Sequence, residues 1–190
     1  LEKKSLIVIV KRRRDHLLVI RGGAQEYHLT ESQSRALGII RAGFEEKQPA
    51  LLYGVTGSGK THVYMELVKE TLAAGKQVLY LLPEVALTEH MVARMGAFLP
   101  VEIGVWHHFY SSHERTELYD RILKDQIQFV VGTKGAVFAP FSNLGLIVVD
   151  EEHESTYKQF DKKPFYHGRD SAFQLAKYHG ANVLLGSATP

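Results

Sequence analysis

Gly54-Val55-Thr56-Gly57-Ser58-Gly59-Lys60-Thr61 directly follows the short apolar run 50–53 and opens a helical stretch, and this order constrains the fold most. A strand, a glycine-rich turn and a helix in succession form the first part of a βαβ unit, whose next strand runs parallel to the first. The chain repeats the alternation. Apolar runs recur at 77–82, 102–106, 128–131, 146–149 and 182–185, and helical patterns occupy 32–46, 60–74, 87–98, 112–124 and 169–178. Strands that are apolar throughout, with no alternation, belong to sheets covered on both faces. The expected class is α/β, a three-layer α/β/α phosphate-loop domain with a parallel sheet over residues 29–190. Ahead of it, the runs 6–10 and 17–20 flank Lys11-Arg12-Arg13-Arg14-Asp15 and read as a short β-hairpin with a charged turn. Gly22-Gly23 then reads as a linker, which makes 1–28 a separate N-terminal segment. The basic turn suits a phosphate backbone, and equally suits plain solvation.

Charge does not identify a partner. Lys+Arg number 23 against 21 Asp+Glu, a net +2, so any nucleic-acid surface has to be local. With no cysteine in the sequence, disulfides and Cys-ligated zinc are excluded within it, and a reducing compartment fits. No apolar run is long enough to cross a bilayer, and the opening residues lack a signal-peptide pattern. The expectation is a cytoplasmic protein with no membrane partner. Ser187-Ala188-Thr189-Pro190 follows immediately on an apolar run, an abrupt stop that suits a piece of a longer protein.

The chemistry begins at the glycine loop. Gly54, Thr56, Gly57, Ser58 and Gly59 allow backbone N–H groups to turn inward around phosphate oxygens, and the following helix N-terminus favours an anion. Lys60 is placed to reach the terminal phosphates of a nucleotide, and the Thr61 hydroxyl to ligate Mg²⁺. Further on, the apolar run ends in Asp150-Glu151-Glu152-His153. Three adjacent carboxylates repel one another and are costly to bury without a cation, which Mg²⁺-nucleotide would supply. Asp150 is the expected second Mg²⁺ residue, and Glu151 the residue that orients and deprotonates an attacking water. Glu152 and His153 are expected to link this motif to its neighbours.

A phosphate loop alone does not select a reaction. The order of the remaining motifs is more specific, and from about Leu29 to Pro190 the chain resembles the superfamily 2 helicases of the primosomal protein N′ (replication-restart) family. The resemblance rests on Leu29-Thr30-Glu31-Ser32-Gln33, the phosphate loop, Leu82-Pro83-Glu84-Val85-Ala86-Leu87-Thr88 and Val131-Gly132-Thr133-Lys134-Gly135-Ala136-Val137-Phe138-Ala139-Pro140-Phe141. It continues through Asp150-Glu151-Glu152-His153, Tyr157-Lys158-Gln159 and Gly186-Ser187-Ala188-Thr189-Pro190. It implies a RecA-like lobe that uses ATP and Mg²⁺ and acts on forked or single-stranded DNA in the 3′→5′ direction. Other primosome proteins and a single-strand-binding protein are implied as partners. Zinc is expected only in parts of such a protein outside this sequence, as is a second motor lobe with arginine fingers.

Roles follow by position. Gln33 resembles the glutamine that reads the adenine edge, although a helix-start glutamine could simply be exposed. Pro83, Glu84, Thr88, Thr133 and Lys134 resemble motifs that face the DNA backbone. Ser187 and Thr189 resemble the motif that passes nucleotide state to DNA movement. Tyr157, Lys158, Phe160 and Tyr166 belong to an aromatic and basic stretch suited to base stacking, in which one or two rings could instead plug the sheet edge. The sequence departs from the family at His107-His108 and at Lys134, where an arginine is usual and a lysine gives no bidentate grip. His107, His108 and His113 could suggest a metal, but adjacent histidines rarely converge. Two rival functions remain: another superfamily 2 motor acting on a different polymer, and a nucleotide-dependent switch that does not unwind.

Overall fold

The computed structural model describes residues 19–21, 23, 27–107, 111–161 and 163–189. The main sheet contains β1 (Val19–Arg21), β2 (Ala50–Tyr53), β3 (Gln77–Leu81), β4 (Glu102–Trp106), β5 (Phe129–Gly132), β6 (Leu144–Val149) and β9 (Asn182–Ser187). Its strand order is β1-β4-β5-β3-β6-β9-β2, and every neighbour pair except the antiparallel β1–β4 is parallel. Helices α1 (Glu31–Glu45), α2 (Lys60–Ala73), α3 (Glu89–Gly96), α4 (Ser112–Leu123) and α5 (Gly168–His179) make the connections. A small antiparallel ribbon, β7 (Lys158–Gln159) with β8 (Tyr166–His167), carries the aromatic stretch between its strands.

Two apolar layers follow from the two-residue period of the strands. Val78 and Tyr80 of β3 join Val63, Met65 and Val68 of α2 on one face, whereas Leu79 and Leu81 join Ala172 and Ala176 of α5 on the other. Strand β6 divides likewise, with Leu146 and Val148 on the first face and Ile147 and Val149 on the second. Both faces of the central strands are therefore dry, which is why these runs carry no polar alternation. The α/β/α arrangement and its parallel sheet match the expected class. No described helix is long and apolar enough to cross a membrane.

Local chemistry sets several boundaries. The Thr30 hydroxyl accepts from Gln33 N–H at 3.3 Å while Gln33 Oε1 accepts from Thr30 N–H at 2.9 Å, a reciprocal cap that starts α1. Helix α3 is shorter than its 87–98 pattern because Thr88 Oγ1 caps Met91 N–H at 3.2 Å, leaving 83–88 in a turn. At the N-terminal side, β1 continues the sheet beyond β4, with Ile20 opposite Ile103. Gly23 donates its N–H to Gly96 O at 2.7 Å, so this glycine is tied to the end of α3. The run 6–10, the charged turn 11–15 and Gly22 lie outside the described residues.

Candidate active site

Strand order creates the site. Strand β9 lies between β2 and β6, so the C-terminal ends of three adjacent strands carry the phosphate loop, Ser187 and Asp150 side by side. Gly54 N–H donates to Ser187 O at 3.1 Å, and Glu152 N–H donates to Gly186 O at 2.8 Å, which tie the loop and the acidic motif to the same strand end. In open parallel sheets ligands bind beyond the carboxyl ends of the strands, and this is that edge. A cleft of about 150 Å³ opens beside the loop, lined by Gln33, Leu52, Tyr53, Ser58 and Lys60 among others. A larger cleft of about 400 Å³, lined by Lys47, Phe173 and Lys177 among others, sits at the opposite ends of β2 and β9, away from every motif residue.

The loop is shaped for an anion. Gly57 and Gly59 have φ of 81° and 83°, the left-handed region that glycine tolerates without strain. A Cβ on Gly59 would also lie 2.2 Å from Gln33 Nε2, so this glycine admits the amide that donates to Ser58 O at 3.2 Å and Gly59 O at 3.4 Å. Gln33 thus spends one end of its amide on the cap of α1 and the other on the loop. Lys60, at the start of α2, donates from Nζ to Gly54 O at 2.6 Å and lies 3.8 Å from Glu151 Oε1. Thr61 follows in the first turn of α2, half-buried beside it.

Asp150 is buried and held by two phenols. Tyr80 of β3 donates to Oδ2 at 2.9 Å and Tyr64 of α2 donates to Oδ1 at 3.3 Å, with Glu151 N–H on Oδ1 at 3.1 Å. Burial pushes the Asp150 carboxyl above its ordinary value; the Tyr80 hydrogen bond opposes this and the charge of Glu151 adds to it. Burial, then the Asp150 charge, push both tyrosines well above the ordinary phenol value, so both remain donors. Tyr157, a third buried phenol, donates to Asp150 O at 2.6 Å and Leu81 O at 3.1 Å, fixing the chain direction where β6 ends. None of the contacts of Tyr64 and Tyr80 was legible as a motif, because Tyr80 sits within an apolar run and Tyr64 within a helical pattern, each without a chemical signature of its own.

Gly186 makes the Tyr64 contact possible. A Cβ there would lie 1.9 Å from the Tyr64 hydroxyl oxygen and 3.0 Å from Asp150 Oδ1. Gly186→Ala is expected to destabilise the chain by about 1–3 kcal/mol, the scale of overpacking a filled interior. Urea unfolding checks it, and an unchanged midpoint would mean that Tyr64 swings clear at no cost.

Glu151 stands on an unusual backbone. Its φ of 47° is left-handed, a conformation that costs a non-glycine residue on the order of 1 kcal/mol or more. The turn is held by Glu154 N–H on Glu151 O at 2.9 Å and by Ala188 N–H on Glu151 Oε2 at 3.2 Å. This conformation turns the carboxylate toward Lys60 on one side and Ala188 on the other. His153 Nδ1 lies 3.0 Å from Ser187 Oγ and 3.8 Å from Glu151 Oε2, and Ser187 Oγ donates to Thr189 O at 2.5 Å. Glu152 accepts from Arg169 Nη1 at 2.7 Å.

The other predicted residues divide by exposure. Pro83, Thr133, Tyr157 and Ser187 are buried, so they can act only through what they support, whereas Glu84, Thr88, Lys158, Phe160 and Thr189 face solvent. Phe160 is 70% exposed and Phe165 62%, both between β7 and β8, while Tyr166 packs edge-on against Phe138. Lys134 has a side chain only 15% exposed, and its Nζ donates to Glu84 Oε1 and to Thr156 O, each at 3.0 Å. These two motifs are therefore joined to each other. His108 lies outside the described residues.

The chain is 47% identical over 164 residues to the replication restart protein PriA of Chlamydia trachomatis serovar D, covering 85% of this chain and 22% of that protein. It is 42% identical over 164 residues to the replication restart protein PriA of Bacillus subtilis, covering 85% and 20%. The chain thus spans about a fifth of the length of these relatives. The crystal structure of the UvsW helicase from bacteriophage T4 superimposes with a TM-score of 0.57 at 20% identity, covering 90% of this chain and 56% of that one, a likeness of fold. Residues 30–190, from the cap of α1 to the motif after β9, match the family described as DEAD/DEAH box helicase, and the chain belongs to that family.

Proposed function

We propose that this chain is the nucleotide-binding first motor lobe of an ATP-driven DNA helicase that moves 3′→5′ and acts in replication restart and primosome assembly. Residues 29–190 form the motor lobe in this reading, and 1–28 is an N-terminal segment whose β1 extends the sheet of that lobe. The observation that carries it is the convergence of Lys60, Asp150 and Glu151 at adjacent strand ends, with Glu151 linked through Ala188 and His153 to the Ser187 motif. The resemblance to replication restart proteins supports the biological setting.

The residues fit a magnesium nucleotide. The glycine loop exposes backbone donors, Lys60 supplies a fixed cation, and Thr61 and Asp150 are the oxygen ligands that would hold Mg²⁺. The metal, when bound, supplies positive charge to the terminal phosphates. Lys60 neutralises phosphate charge from the protein side, and Glu151 orients water and accepts its proton. Gln33 is taken to read adenine as well as to brace the loop. A change at the γ-phosphate position would be felt by Glu151 and passed through Ala188, Ser187 and His153. Exposed Glu84, Thr88, Lys158 and Phe160 are taken as the DNA-facing group, with Pro83, Thr133, Lys134, Tyr157, Tyr166 and Glu152 as their supports, and Thr189 as a coupling residue beside Ser187. The protein partners proposed are primosome components and a single-strand-binding protein, in the cytoplasm; zinc would belong to parts of the protein beyond this chain.

A strand-displacement assay on the full-length protein tests the reading. ATP-dependent unwinding is expected on DNA with a 3′ single-stranded tail, and Lys60→Ala is expected to reduce it to background. Equal unwinding from a 5′ tail would overturn the direction, and stimulation of hydrolysis by single-stranded RNA alone would overturn the substrate.

A further inference from the structure

The two phenols on Asp150 are a feature that the proposed reaction leaves unused. Each comes from a different element: Tyr80 from the interior of β3, and Tyr64 from the helix that begins at the phosphate loop. They reach different oxygens, Tyr80 donating to Oδ2 at 2.9 Å and Tyr64 to Oδ1 at 3.3 Å. Both rings are fully buried and meet edge to face, with centroids 5.9 Å apart, and Tyr80 meets Phe129 edge-on at 6.5 Å. Rings packed in this way cannot follow a moving carboxylate, so the carboxylate has to stay where the hydroxyls are. Gly186 leaves room for one of those hydroxyls and directly precedes Ser187, so the same contact also bears on the end of β9.

We infer that Tyr80 and Tyr64 are positioning residues for magnesium: their hydroxyls fix the Asp150 carboxylate in one orientation ahead of metal binding and link it to the phosphate-loop helix. The inference rests on the reading of Asp150 as a magnesium residue. Its physical basis is general. A carboxylate near a metal has more than one rotameric choice, and outer hydrogen bonds that select one of them strengthen binding without touching the metal. The first choice is made here by Tyr80, the shorter bond from the more rigid element. Tyr64 adds a mechanical tie, since α2 carries Lys60 and Thr61 at its start and Tyr64 one turn later.

The test is a magnesium titration of the full-length protein holding saturating ADP, beside the affinity for ADP measured in EDTA. The variants are Tyr80→Phe, the double variant Tyr64→Phe with Tyr80→Phe, and Asp150→Asn, each first matched to the parent by its melting curve. Tyr80→Phe is expected to raise the apparent magnesium dissociation constant roughly tenfold, the low end for loss of an outer hydrogen bond. The double variant is expected to raise it further, and metal-free ADP affinity is expected to hold in both. A loss of metal-free affinity with no change in the magnesium constant would make the phenols purely structural and overturn the inference. So would an unchanged constant in both phenol variants while Asp150→Asn raises it, an outcome that leaves the role of Asp150 intact. An unchanged constant in Asp150→Asn itself would bring down that role, and the inference with it.

Discussion

The isolated 190-residue chain is expected to hydrolyse ATP about 10³–10⁵-fold more slowly than the full-length protein, each with saturating single-stranded DNA. Negative charge gathers on the transferred phosphoryl group, and a cation facing it from a second lobe is worth that factor. Within the described residues the cation at hand is Lys60, already shared between Gly54 O and Glu151. Arg169, the guanidinium bound to the acidic motif, is committed to Glu152 at 2.7 Å and Asp170 at 3.3 Å. Releasing it would break two charge-assisted hydrogen bonds, so a local arginine is a poor substitute. Phosphate release by the two proteins, measured side by side, decides the matter. A chain within tenfold of the full protein would mean that Lys60 and Glu151 suffice alone.

Glu151→Gln in the full-length protein is expected to keep nucleotide affinity and lose about 10²–10⁴-fold in turnover. The amide oxygen can still accept from Ala188 N–H, and glutamine adds no bulk to the left-handed turn at φ 47°. Folding and the geometry around the loop are thereby preserved. What disappears is the capacity to take a proton from water. The variant also weakens the 3.8 Å pairing with Lys60, which frees that cation for phosphate and works in favour of binding. Equilibrium binding of ADP beside steady-state phosphate release separates the two effects. Hydrolysis at the parental rate would assign the base to another group.

The strands and the loop were readable because their causes are local. The run 50–53 and the run 102–106 have the bounds seen in the structure, since a short apolar run between turn residues marks a strand even at the sheet edge, where Leu51 and Tyr53 of β2 are exposed. The phosphate loop was readable for a related reason: glycines at fixed offsets before Lys60 and Thr61 answer to backbone angles and to phosphate, neither of which needs a distant partner. The position of Asp150 and Glu151 at a strand end was equally plain. What they touch was not. Tyr64 and Tyr80 lie 86 and 70 residues from Asp150, and nothing near them in the chain points to it until β3 and β6 are seen paired.

Lys134 had the chemistry of a phosphate contact, yet Glu84, 50 residues away, occupies it in the fold. Tyr157 lies in a stretch that the sequence left open between base stacking and plugging the sheet edge, and its ring is buried under the end of β6. The sequence alone determined which elements form, which loop has glycines free to turn around an anion and which acids end the β6 strand, because torsional preference, two-residue periodicity and side-chain type act over a few neighbours. The order of strands in the sheet, and with it the partners of Asp150, Lys134 and Gln33, belonged to the tertiary structure, because a parallel sheet is closed by packing between segments far apart in the chain.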